Sequence, residues 1–242
     1  MRRLELVSRD LRRIALGEGS IDYVLVRRRG RRGVGLKVDA DSLTVNAPAT
    51  LPLARIEAFV RESERWVRKK LREWSGKRVP TVQWQEGQAL PYLGGSLSLR
   101  LATGGRNHLE IDAGELRATL RDTAPAFVHR AVVAWYRRAA LAHLAGRTFT
   151  LACAAGLPPP RVILSSALSR WGSCNVQQEV RLAWRLVKAR PALIDYVICH
   201  ELAHLRHMNH SRAFWAEVER QCPAWRELRE ELSATDHLYR AF

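Results

Sequence analysis

The chain has 242 residues, 47% of them hydrophobic, enough for one large domain or two small ones with a filled core. No apolar run approaches a transmembrane length, and Arg2, Arg3, Glu5, Arg9 and Asp10 interrupt any signal-peptide stretch, so the cytoplasm is the expected compartment and no membrane partner is expected. The four cysteines are scattered with no C-x-x-C pair, which excludes a zinc ribbon and a disulfide scaffold.

In chain order, residues 21–26, 34–38 and 43–45 read as short strands of a hairpin or meander, with a turn at Asp39-Ala40-Asp41. The run Arg27-Arg28-Arg29-Gly30-Arg31-Arg32 is the densest part of a net charge of +16. It would attract phosphate if exposed, so nucleic acid is a possible partner, but nothing in its spacing suggests base reading. Residues 53–74 predict one helix, with Ile56, Phe59, Val60, Trp66, Val67, Leu71 and Trp74 recurring at threes and fours on its apolar side. Proline and glycine then punctuate short apolar runs, with a strand, turn and strand over 87–95, a strand at 97–101 and another near 109–111. No internal repeat is apparent. A soft boundary at 112–120 divides a β-rich N-terminal region, 1–115, from a second region, 116–242.

The second region opens with a predicted helix over 124–146, on which His129 and His143 read as surface or satisfied interior residues. Strand-like runs follow at 162–165 and 180–186, separated by a glycine-bearing bend, Ser169-Arg170-Trp171-Gly172-Ser173-Cys174-Asn175. Such a strand pair can hold an extended peptide by its edge. After Pro191 comes Cys199-His200-Glu201-Leu202-Ala203-His204-Leu205-Arg206-His207-Met208-Asn209-His210, and last a helix from Pro223 through Leu232.

This H-E-x-x-H segment carries the chemistry. Positions i and i+4 share a helical face, so His200 and His204 can aim at one metal ion, and Glu201 is placed to act as a base on water rather than to ligate. Three protein ligands are needed for a catalytic zinc site. His210 is the third candidate, because Asn209 tolerates the left-handed turn that would bring the chain back and Ser211 can cap the next helix, with Phe214, Trp215 and Val218 inward. His207 lies on the same helical face but about 10 Å along the axis from His200. Glu217 and Glu219 are the acidic alternatives.

Val34-Gly35-Leu36-Lys37-Val38, Trp66-Val67-Arg68-Lys69-Lys70-Leu71, Tyr92-Leu93-Gly94, Arg170-Trp171-Gly172-Ser173-Cys174, His200-Glu201-Leu202-Ala203-His204 and Asn209-His210-Ser211 occur in that order. Together they resemble the YgjP-like family of predicted zinc metallopeptidases, related to the SprT and WLM groups of zincins. The three-histidine spacing also equals that of metzincins, but His207 stands where they carry glycine. The resemblance implies an α+β protein. Its β-rich first part has a long helix, and a zincin-like half follows with an active-site helix and antiparallel strands. It implies Zn2+ on His200, His204 and His210 and Glu201 as base; the motif does not settle the substrate, for which a peptide or protein is the expectation. Arg170, His207, Tyr196 and Tyr239 are candidate donors to a developing oxyanion. Competing readings are a metal-dependent hydrolase of an anionic substrate such as a nucleotide or phosphoester, and a non-catalytic module with a closed four-ligand site recruiting Cys174.

Overall fold

The computed structural model describes residues 5–38, 42–75 and 81–242; Arg2, Arg3 and the turn expected at Asp39-Ala40-Asp41 lie outside them. By packing, the chain divides into two units, Met1–Val79 and Pro80–Phe242. None of the described helices is long and apolar enough to cross a membrane.

In the first unit, β1 (Glu5–Leu16) and β2 (Gly19–Arg29) form an antiparallel hairpin, and β3 (Gly35–Val38) and β4 (Leu43–Pro48) form another. The sheet order is β1-β2-β4-β3, with β2 and β4 parallel, so this is not the simple meander the strand spacing suggests. Strand β1 escapes the sequence pattern because its outer two-thirds is exposed on both faces, leaving no period-two alternation to detect. In β4, Leu43, Val45 and Ala47 alternate inward, as a half-buried strand requires.

The single helix expected over 53–74 is two, α1 (Leu53–Glu62) and α2 (Glu64–Ser75), broken at Ser63 where ψ opens to 6°. The break lets the Glu64 carboxylate accept the Gly17 backbone N–H at 3.1 Å while holding Arg68 at 2.7 Å, tying the β1–β2 turn to α2. Ile56, Val60 and Val67 reach the core, whereas Phe59 and Trp66, also expected there, are 38% and 43% exposed. This unit's sequence carries 20 of the 40 Lys and Arg against 10 of the 24 Asp and Glu. The arginine run is partly structural: Arg27 donates to the carbonyls of Ala49 and Leu51 at 3.0 and 2.7 Å.

The second unit begins with β5 (Ala89–Tyr92), β6 (Gly95–Thr103), β7 (His108–Asp112) and β8 (Glu115–Leu120). Their order is β5-β6-β8-β7, with only β6 and β8 parallel, which repeats the topology of the first sheet strand for strand. A four-strand unit followed by helix therefore occurs twice. The repeat is hidden from the sequence because a sheet face constrains only which positions are apolar.

Leu90, Leu97, Leu99, Leu116, Ala118 and Leu120 of this sheet share one core with α3 (Pro125–Ala154). The chain therefore divides near 79, not near 115: the second sheet buries its apolar face against the helices that follow. Helix α3 runs well past the predicted end at 146, with Val128, Val132, Tyr136, Ala140, Leu144, Thr148 and Ala152 along its buried stripe. Strands β9 (Arg161–Ser165), β10 (Gly172–Cys174) and β11 (Glu179–Ala183) form a small sheet ordered β10-β11-β9. Only β10 is antiparallel to its neighbour; β9 and β11 are parallel, contrary to the all-antiparallel expectation. The strand predicted over 180–186 ends at Ala183 and gives way to a 3-10 turn, Trp184–Lys188.

Three helices complete the α+β fold: α4 (Pro191–Ala203), α5 (Arg212–Gln221) and α6 (Trp225–Tyr239). Helix α4 is clamped from two sides. Asp195 accepts a bidentate pair from Arg147 of α3 at 2.6 and 2.8 Å, and Arg190 at its start pairs with Glu231 of α6. The turn Tyr92-Leu93-Gly94 docks on the same segment, Leu93 donating to the Val187 carbonyl at 2.8 Å. Gly94 has φ +79°, and a Cβ there would fall 2.7 Å from the Arg190 Cα, so both the turn and the close approach require glycine.

Lys188 is 1% exposed; its Nζ donates to the Ala241 carbonyl and lies 3.3 Å from the centre of the Phe242 ring. Burial, with Arg185 nearby, pushes its pKa down to about 6. The unfolded lysine, with a pKa near ~10.4, stays protonated where the folded one does not. Stability of the second unit therefore rises with pH between those two values, by up to about 1 kcal/mol per pH unit. Unfolding midpoints at pH 6 and pH 9 will show this rise in the wild type and a flatter dependence in Lys188→Met.

Candidate metal centre

Helix α4 starts at Pro191, whose fixed φ suits the first helical position. Leu193, Ile194, Val197, Ile198 and Leu202 are buried, so the helix carrying the motif is part of the core. It stops at Ala203, earlier than the histidine spacing suggests, with His204 as its C-cap. The chain then tightens: Leu205 donates to Leu202, and both Arg206 and His207 donate to Ala203. His207 is thus not on the helical face. Its carbonyl instead accepts the His204 Nδ1–H at 3.1 Å.

That hydrogen bond has a chemical consequence. With the proton held on Nδ1, the lone pair of His204 is on Nε2. Three residues after His207 the chain has turned back, and His210 Nε2 lies 3.2 Å from His200 Nε2. The ring centres are 5.1 Å apart for His200 and His204, 5.1 Å for His200 and His210, and 4.9 Å for His204 and His210. Each ring offers a ligand atom within 4.8 Å of the others.

The cluster fits a metal ion on its own chemistry. Burial first, then the neighbouring histidines, push the His200 pKa down to about 3, and burial also lowers that of His204. Both are neutral donors at ordinary pH, as ligation requires. Two ring nitrogens facing at 3.2 Å can share only one proton between them, whereas a cation satisfies both lone pairs. Three imidazole nitrogens suit zinc, among the borderline divalent ions.

The rival ligands are committed elsewhere. Glu217 accepts from Arg220 and Gln221 at 2.7 Å each, and Arg206 lies 3.3 Å from it; Glu219 pairs with Arg226 at 2.8 Å. Among the described residues Cys174 does not join the cluster, nor do His129 and His143. His129 packs its ring against Trp84 at 4.6 Å.

Helix α5 supplies the wall. Ser211 caps it as expected, accepting from the Phe214 N–H at 3.3 Å. The Phe214 ring then lies 4.9, 4.5 and 4.7 Å from His200, His204 and His210, and Trp215 stacks on His210 at 5.8 Å. Helical periodicity marks Phe214 and Trp215 only as core residues; the contact of Phe214 with all three imidazoles, and of Trp215 with those of His200 and His210, follows from the turn between α4 and α5.

Glu201 is 4% exposed, and its Oε2 has no hydrogen-bond partner among the described residues. Burial pushes its pKa up to about 8, against the opposing charge of Arg170. A cation on the histidines would act in the same direction as Arg170. The carboxyl rests against Gly172, where a Cβ would fall 2.6 Å from the Glu201 Cγ. Gly172 begins β10, the edge strand of its sheet. The sequence offers R-W-G-S-C as a bend; that its glycine is the seat for Glu201 is a tertiary fact.

Of the candidate oxyanion donors, Arg170 is felt electrostatically at Glu201 and Tyr196 packs edge-on to His200 at 6.3 Å. Tyr239 packs on Trp171 at 6.2 Å instead. Arg229 of α6 escapes sequence reasoning but bears on both His200 and Tyr196.

Three imidazoles gathered beside a buried glutamate form a cluster that could hold a metal ion. The chain belongs to the YgjP-like family: the model of the YgjP-like metallopeptidase domain matches residues 32–235. No curated protein and no solved structure matches it.

Titration of metal-depleted protein with zinc will give one tight equivalent and a rise in unfolding temperature, since the ion binds only the folded cluster. His210→Ala, a change at an exposed position, will weaken zinc binding by ~100-fold or more, measured by competition with a chromophoric chelator.

Proposed function

We propose that the chain is a zinc-dependent peptidase of the zincin type, with His200, His204 and His210 holding the ion and Glu201 acting as general base. A zinc ion held there supplies Lewis acidity toward a carbonyl and lowers the pKa of water toward about 7. Glu201 takes a proton from the attacking water on its unpartnered Oε2 and delivers it to the leaving amine nitrogen. Its burial serves this role, because a desolvated carboxylate is a stronger base than one in water. Gly172 holds the carboxyl from below, and the free edge of β10 can hold an extended chain by main-chain hydrogen bonds. Arg170, Tyr196 and Arg229 are the groups near enough to assist the developing oxyanion.

The observation that carries this reading is the convergence of three imidazoles beside a buried, unpartnered glutamate at a sheet edge. An anionic substrate draws support from the net charge, but half of the Lys and Arg fall within residues 1–79. Around the cluster itself two arginines are felt, and the adjoining element is an edge strand, which favours peptide over phosphoester. A closed structural metal site draws no support from a cluster of three ligands.

Glu201→Gln will keep one equivalent of zinc and lose ~100-fold or more in the hydrolysis of a peptide library followed by mass spectrometry. Wild-type rates in that variant would reject the assignment. Gly172→Ala leaves all three histidines untouched but pushes the Glu201 carboxyl aside. It will retain zinc and lose about 100-fold in rate, the scale expected for a misplacement near 1 Å.

A further inference from the structure

Beside the histidine cluster lies a cavity of about 200 Å³ whose lining includes Gly172, His200 and Glu201. Its walls are Trp171, Tyr196, Val197 and Leu232. Tyr196, Val197 and Leu232 are 7%, 4% and 6% exposed, and Glu201 is the only acidic or basic side chain in the lining apart from the imidazole. Two other cavities are of different character. One on the far side of Trp171 is lined by Arg170, Arg181, Ser165 and Ser173, and a groove in the first unit is lined mainly by arginines and glutamates.

We propose that this cavity is a side-chain subsite that takes an apolar side chain, of leucine to phenylalanine size, from one of the two residues flanking the scissile bond. The inference rests on the peptidase reading and names the class of substrate it prefers. The cavity shares Glu201 and His200 with the reacting groups, so its occupant lies next to the bond that is cut. It also shares Gly172 with the edge strand β10. An extended chain laid along that edge turns alternate side chains to opposite faces, and one of them faces the cavity.

The cavity is built before substrate arrives. Trp171 is braced edge-on by Tyr239 at 6.2 Å and covered by Arg240, whose guanidinium lies 4.8 Å from the ring and is held by Asp236 at 2.9 Å. Arg190 and Glu231 join the start of α4 to α6 one residue before Leu232, holding together the two helices that contribute to the lining. A preformed apolar site loses little in ordering when it is filled. Leu232 is the lining residue contributed by α6, away from the helix that carries His200 and Glu201, which makes it the specificity-determining residue.

The test uses the full chain with zinc restored and peptides that differ only at the two residues flanking the cut, with Leu, Phe, Ala, Asp or Lys. At one of these positions kcat/KM will be at least about 10-fold higher for Leu or Phe than for Ala or Asp. Leu232→Phe fills the cavity and will invert the order in favour of Ala; Leu232→Ala deepens it and will move the optimum to Phe. Fluorescently labelled versions of the same peptides, bound to Glu201→Gln protein and read by anisotropy, will follow the wild-type order in Kd without turnover. Cleavage with a flat ranking, or Leu232 variants that keep the wild-type ranking, overturns the subsite and leaves the peptidase reading standing. Cleavage of no peptide overturns the peptidase reading, and the binding order then decides the cavity on its own.

Discussion

The site depends on one hydrogen bond, from the His204 ring to the His207 carbonyl. It requires α4 to stop at Ala203, because a continuing helix would turn that carbonyl toward its own ladder. Stopping there orients the His204 ring, fixes its tautomer and starts the turn that brings His210 to His200. One local termination thus converts an i, i+4 pair into a three-nitrogen cluster. The clamps on α4, Arg147 with Asp195 and Arg190 with Glu231, hold the helix still while the chain beyond it bends.

Burial then shifts the protonation of His200, His204 and Glu201. The same low-dielectric surroundings that lower the pKa of His200 and His204 raise that of Glu201, so one environment favours the neutral imidazoles and makes the carboxyl more basic. The packing that achieves this is aromatic on one side, through Phe214 and Trp215, and tight backbone on the other, through Gly172. A glycine is needed at Gly172 because the Glu201 carboxyl occupies the space a Cβ would take.

Around this site the architecture is economical. A β1-β2-β4-β3 sheet followed by helix occurs in the first unit, and the same arrangement, β5-β6-β8-β7 followed by α3, begins the second. Only the second is continued by the small β9–β11 sheet and by α4, α5 and α6, which carry the histidines and their walls. The Tyr92-Leu93-Gly94 turn shows how that second sheet serves the site at a distance: it supports the segment just before α4 through backbone hydrogen bonds from Leu93 and Gly94.

Much of this could be read from residues alone, and the reasons are local. H-E-x-x-H places two imidazoles and a carboxylate by helical geometry, Pro191 starts the helix, Ser211 caps the next one, and the stripe of α3 repeats at helical spacing. Those properties depend on neighbours within a few residues, and the family motifs rest on them. The end of α4 at Ala203, the close approach of the His210 ring to His200, the seat of Glu201 on Gly172 and the bearing of Arg229 on the site were decided only by tertiary structure. So was the division of the chain near 79. Each of these depends on surfaces distant in sequence meeting at close range. A pattern in one strand or helix records which of its faces is buried; what it is buried against is settled by the rest of the fold.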